Sequence, residues 1–105
     1  MKSSDIVLAP PVYVIAKLAV SEKEAPSLLS ALHELVCATK LEAGCIEYSL
    51  YRDTFEERSF VIHEVWRSQD DLDAHMYTPH FLNFISRVEA LSTLTSDVNK
   101  ISFTI

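Results

Sequence analysis

Glycine occurs once in the 105 residues, at Gly44. One glycine cannot build a glycine-rich phosphate loop, so nucleotide sites of that kind are excluded. Cysteine occurs twice, as Cys37 and Cys45, with no CxxC pair and no partnered-histidine spacing. That argues against a structural zinc site, and the two read as half-buried thiols in a reducing cytoplasm. Cations are few: nine Lys and Arg stand against fifteen Asp and Glu, for a net charge of −6, and no stretch concentrates them. Such a surface repels phosphate backbones and anionic headgroups, so neither nucleic acid nor membrane is an expected partner. No apolar run approaches the roughly 20 residues of a membrane-spanning helix. The opening MKSSDIVLAPP lacks the apolar stretch and cleavage site of a secretory signal. A cytoplasmic location is therefore expected.

What is present suffices for a core. Hydrophobic residues make up 49% of the chain, far above the profile of a disordered sequence. The length fits one domain, expected over residues 12–105 after an arm at 1–11 closed by Pro10-Pro11. Residues 12–20 (VYVIAKLAV) form a strand that is apolar on both faces save Lys17. Ser21 to Glu24 has capping-box form, but Pro26 moves the expected helix start toward Ala25. That helix carries Leu28, Leu32, Leu35, Val36 and Thr39 as one stripe, to about Lys40. Residues 45–53 form a second strand with Ile46, Tyr48 and Leu50 on one face. A polar loop of hairpin length leads to a third strand at 60–66, which sets Phe60, Ile62, Glu64 and Trp66 on one face. Ser68 to Asp71 opens a short helix with Leu72, His75 and Met76. Thr78-Pro79 opens another, Thr as N-cap and Pro at the first helical position, bearing Phe81, Phe84, Ile85, Val88 and Leu91. Residues 98–105 form a last strand, Ile101, Phe103 and Ile105 alternating with polar residues.

This order predicts an α+β, ferredoxin-like unit: an antiparallel four-stranded sheet with helices on one face. The first and third strands are apolar on both sides, and the chain is too short to cover the second face. A twin sheet from a second copy is the simplest cover, so a homodimer is expected.

Chemistry concentrates in FVIHEVWRSQDDLDAHMYTPHF, residues 60–81. Glu64 falls among apolar neighbours, where an unpaired carboxylate has a raised pKa. It reads equally as a proton acceptor or anchor for a histidine, or as a structural acceptor for helix amides or partner of Arg67, Arg52 or Lys17. His75 and His80 flank the break between two short helices. His80 falls in the first turn of a helix, where the dipole favours a neutral imidazole. The two are candidate bases, or else ties that hold the break together. His63 faces away from Glu64 and reads as structural or interfacial, and His33 as partly exposed. Glu64, His75 and His80 could converge on a metal, but no motif such as HExxH is present and no metal is expected. Trp66, Tyr48, Phe60, Phe81 and Phe84 are candidates for the wall of an apolar small-molecule pocket, as well as for the core itself.

The run from Gly44-Cys45 and Tyr48, through Phe60, Glu64 and Trp66, to Leu72, His75, Pro79, His80 and Phe81 resembles the antibiotic biosynthesis monooxygenase superfamily. The resemblance implies a dimeric α/β barrel with a pocket between sheet and helices, and a monooxygenase acting without cofactor on a small quinol or polyphenol. It implies His75, Glu64 and His80 as catalytic residues, and Trp66, Tyr48, Phe60, Phe81 and Phe84 as substrate-binding. A haem-degrading branch is disfavoured by Phe84-Ile85 and Ala16-Lys17 in the regions where that branch relies on a histidine of the last helix and an asparagine of the first strand. An isomerase branch shares Glu64, His75, Pro79 and His80 but has no counterpart of Trp66. Two alternatives remain: an isomerase or proton-transfer enzyme on a sugar-like carbonyl compound, and a non-catalytic small-molecule-binding dimer.

Overall fold

In the computed structural model, residues 9–102 and 104 are described. Residues 1–8 of the arm, and Phe103 and Ile105 of the expected last strand, lie outside the described residues. The elements are β1 (Val12–Ala19), α1 (Ala25–Thr39), β2 (Cys45–Arg52), β3 (Ser59–Trp66), α2 (Gln69–His75), α3 (Pro79–Glu89) and β4 (Thr95–Ile101). The strands form one antiparallel sheet in the order β2-β3-β1-β4. This is the ferredoxin-like α+β arrangement read from the sequence.

Register decides which side chains meet. Val14 of β1 and Tyr48 of β2 both lie opposite Glu64 of β3, so the three form one row on the helix-covered face. Above that row, α1 contributes Leu28, Leu32 and Leu35, and α3 contributes Phe84 and Val88, all buried. Burying one such aliphatic side chain stabilises the fold by roughly 1.5–3 kcal/mol, so these two helical stripes hold the layer on the sheet.

Helix α1 starts at Ala25, with Pro26 in its first turn. Glu24 is therefore the N-cap, and the capping box expected from Ser21 does not form. The Glu24 carboxylate accepts instead from the backbone N–H groups of Ser92 and Thr93. Helix α2 keeps half of its box: the Ser68 hydroxyl accepts from Asp71 N–H, while the Asp71 carboxylate is held by Arg67. Thr78 caps α3 as expected, accepting from Phe81 N–H and donating to the His75 carbonyl. One hydroxyl thus ties the end of α2 to the start of α3.

Two expected facings are corrected. Ile46 is 62% exposed, because the ladder shifts register between Cys45 and Glu47; only Tyr48 and Leu50 then face the helices. The last strand begins at Thr95, and pairing with β1 sets Ser96, Val98 and Lys100 on the helix side and Ile101 on the other. The second sheet face carries Tyr13, Ile15, Val61 and the buried Val65, beside a 3.1 Å contact between His63 Nδ1 and Glu47 Oε2, with no helix of the described residues over it.

Thr78→Ala removes both hydroxyl bonds at the α2–α3 break. It is expected to lower unfolding free energy by about 1 kcal/mol in urea titration, with the midpoint shifted and the slope unchanged.

Candidate functional site

The turn after α1 supplies the residue that organises the site. Backbone bonds from Leu41 to Ala38 and from Glu42 to Thr39 wind the chain off the helix, and Cys45 N–H closes back on the Glu42 carbonyl. Gly44 lies against the first turn of α2: a Cβ there would stand 2.3 Å from Asp71 Cβ and 2.2 Å from its Cγ. Only a residue without a side chain lets α2 approach this closely, and Arg67 N–H bonds the Gly44 carbonyl across the same contact. The packing brings the Glu42 side chain beside the end of α2 and the start of α3.

There a single oxygen, Glu42 Oε2, lies 2.6 Å from His75 Nδ1 and 2.7 Å from His80 Nε2. A carboxylate oxygen only accepts, so both of those ring nitrogens carry the proton. In the neutral ring of His75, Nε2 is then left as a lone-pair acceptor, with no hydrogen-bond partner among the described residues. The His75 side chain is 2% exposed and is caged by aromatics: ring centroids lie 4.6 Å from Trp66, 4.9 Å from Phe81 and 5.6 Å from Tyr48.

His75 also borders a cavity of about 590 Å³ between the sheet and the helices. Its wall is mainly apolar, with Val14, Ala16, Ile62, Phe81, Phe84 and Val88 among its residues. Three polar side chains interrupt that wall inside: Tyr48, Glu64 and His75. At the exposed end stand Ser96, Glu89 and Lys100.

Burial sets the charges. Desolvation pushes the Glu64 carboxyl up to about 7, partly opposed by the Trp66 indole N–H, which donates to Glu64 Oε1 at 2.9 Å; the Glu42 charge pushes it further up. Near neutrality Glu64 is therefore substantially a protonated acid, able to donate. Desolvation lowers the His75 pKa, with Glu42 opposing and His80 reinforcing the shift. Tyr48 is raised by burial and then by Glu64, so it stays a phenol and a donor. Burial raises the Cys45 thiol to about 11, which rules it out as a thiolate nucleophile at neutral pH.

The structure therefore gathers His75, Glu64, Tyr48, Phe81 and Phe84 on one wall and leaves three expected site residues off it. His80 does not border the cavity; it stands at a separate outer groove with Asn83 and Arg87, its ring turned to Glu42. Trp66 is fully buried behind the wall, its N–H used by Glu64 and its ring under His75. Phe60 is core at the other end of β3, under the Arg52 guanidinium. Glu64 meets none of the cations expected for it: Arg67 pairs with Asp71, and Arg52 lies over Phe60. Sequence reasoning missed Glu42. Its one signal is its place two residues before the lone glycine, because a turn residue carries no periodicity.

Comparison with known proteins supports the fold and gives the family. The family model described as antibiotic biosynthesis monooxygenase matches residues 11–87. The chain belongs to that family. A protein of Synechocystis, sll1783, is 32% identical over 77 residues; the match covers 73% of this chain and 52% of that protein, so the chain spans about half of its length. The "Putative monooxygenase Rv0793" of Mycobacterium tuberculosis is 34% identical over 83 residues, covering 79% of this chain and 81% of that one. Its solved structure superposes with a TM-score of 0.84 at 30% identity, over 91% of this chain and 97% of that chain. The crystal structure of PA3566 from Pseudomonas aeruginosa gives a TM-score of 0.86 at 30% identity, over 95% of this chain and all of the other. Among the described residues, no helix is long and apolar enough to cross a membrane.

The two opposed shifts make stability depend on pH in two windows. Between the ordinary carboxyl value of 4.5 and about 7, folded Glu64 holds a proton that the unfolded chain has lost, so its contribution falls as pH rises through that window. The lowered His75 pKa acts oppositely: stability falls as pH drops below the ordinary imidazole value of 6.5. Glu64→Gln is expected to remove the alkaline loss. In thermal melts its advantage over the native chain should grow from pH 5 to pH 8 toward an order of 3 kcal/mol; parallel curves would contradict the assignment.

Proposed function

We propose that the protein is a cofactor-independent monooxygenase that oxidises a small quinol or polyphenol with dioxygen. The observation that carries this reading is the pairing of His75 with Glu42 on one side and with an apolar cavity on the other. A flat phenolic substrate suits walls of Phe81, Phe84, Ile62 and Val88. His75 acts as general base through Nε2, in the tautomer that Glu42 selects. Protonated Glu64 and the Tyr48 phenol donate to the oxyanion that forms. Trp66 and His80 act as positioning residues, the first under the His75 ring and behind Glu64, the second by fixing the shared carboxylate.

The steps balance without a further reductant. His75 takes the phenolic proton, and the electron-rich anion passes one electron to dioxygen. The substrate radical and superoxide combine into a C–O bond, and His75 returns the proton to give a hydroperoxide. Loss of water, with the hydrogen on that carbon, leaves the quinone carbonyl. The chain itself contributes desolvation, orientation and proton transfer. The same pair could move a proton on a sugar-like carbonyl compound, but the apolar wall favours an aromatic ring over a polyol.

Oxygen uptake with a panel of hydroquinones tests the reading. The native chain should consume oxygen, and His75→Ala and Glu64→Ala should each lose most of the rate, His75→Ala by about 100-fold or more. An inert native chain, variants that match it, or turnover without oxygen would overturn it in favour of a binder or an isomerase.

The functional unit is a homodimer joined through the second sheet face. Tyr13, Ile15 and Val61, each half-buried, give that face an apolar centre over which no helix of the described residues lies. Light scattering should return twice the chain mass of 11.9 kDa, and Val61→Glu should halve it; a monomer at micromolar concentration would contradict this.

A further inference from the structure

We infer that Glu42, His75 and His80 form a binding site for a divalent transition-metal ion of the zinc or cobalt(II) class. The three donors, His75 Nδ1, His80 Nε2 and a Glu42 carboxylate oxygen, all lie within 4.8 Å of one another. They come from three separate pieces of chain: the turn before β2, the end of α2 and the first turn of α3. Each piece is fixed. The Gly44 contact holds the turn, the aromatic cage holds His75, and the Thr78 hydroxyl ties the two helices.

The donor set selects the ion. Two imidazoles and one carboxylate, with a fourth position left for water, suit zinc or cobalt(II). Magnesium and calcium prefer oxygen donors and are disfavoured. Bonds of about 2.0–2.1 Å at tetrahedral angles require donors about 3.4 Å apart. The present separations are 2.6 and 2.7 Å, within a few tenths of an ångström to one ångström of that spacing. The carboxylate must withdraw by that amount, and the two imidazole nitrogens, now within 4.8 Å of each other, must come to the same spacing. Access runs from outside: the His80 side chain is 25% exposed and that of Glu42 16%, and neither borders the cavity. An ion reaches the site without passing the substrate.

Occupancy would change the face that His75 shows the cavity. An ion on Nδ1 takes that lone pair, and the ring proton moves to Nε2. Nε2 turns from acceptor to donor, with no net change in ring charge. Taken with the proposal that His75 is the base, the metal becomes an inhibitor that acts from behind the active side chain. This consequence rests on the proposed function; the binding site does not.

Calorimetric titration of the purified chain with zinc chloride tests the site, with cobalt(II) absorption as a second readout. One ion per chain is expected, with the visible bands of a four-coordinate cobalt site. His80→Ala and Glu42→Gln should each weaken binding by about tenfold or more, whereas Cys37→Ser and His33→Ala should leave it unchanged. Absence of saturable binding, or binding that survives both ligand variants, overturns the site. With hydroquinone as substrate, zinc should suppress oxygen uptake and a chelator should restore it. Stoichiometric zinc at the site with undiminished uptake overturns the tautomer switch, and a chain that binds zinc but never consumes oxygen sinks the monooxygenase reading alone.

Discussion

One carboxylate oxygen, shared by two imidazoles, is the constraint from which the site follows. Glu42 Oε2 fixes where the proton sits on His75 and where it sits on His80. Without it, a histidine that is 2% exposed would be a neutral ring free to adopt either tautomer among aromatic neighbours. With it, the proton is held on Nδ1 and Nε2 keeps its lone pair. Such a carboxylate–imidazole pair is a general device for preparing a base, because the acceptor behind the ring also stabilises the imidazolium that forms when it takes a proton.

The fold reaches this arrangement through contacts that look incidental in isolation. The lone glycine lets α2 dock on the turn that carries Glu42. The Thr78 hydroxyl clasps α2 to α3 and so sets the distance between the two histidines. The strand register lines up Val14, Glu64 and Tyr48, so that the sheet offers one acid and one phenol in an otherwise apolar row. Burial then tunes them in opposite senses. The acid is pushed up to about 7 and the imidazole is lowered. Both shifts favour the neutral form, Glu64 below about pH 7, which is the state in which an apolar cavity tolerates them and in which one can accept while the other donates.

Much of this was legible from residue order. Alternation in FVIHEVW places Phe60, Ile62, Glu64 and Trp66 on the buried face, and the structure agrees. The Thr78-Pro79 start and the helical stripes follow from capping chemistry and 3.6-residue spacing, and they are found where expected. Periodicity is silent wherever tertiary packing decides. It cannot announce the register shift that exposes Ile46, nor the pairing with β1 that starts the last strand at Thr95. It cannot show that Glu42, 33 residues from His75 and 38 from His80, closes the site. Nor can it separate a wall aromatic from a supporting one: Phe81 and Trp66 carry the same apolar signal, yet only the first borders the cavity.

Nitrogen-15 NMR of the imidazole rings tests the central claim most directly. At neutral pH, the account predicts that His75 is fixed as the neutral Nδ1–H form, with Nε2 showing the shift of an unprotonated ring nitrogen, and that Glu42→Gln releases the ring to a mixture of tautomers. A fixed Nε2–H form in the native chain, or a His75 signal that Glu42→Gln leaves unmoved, would contradict it.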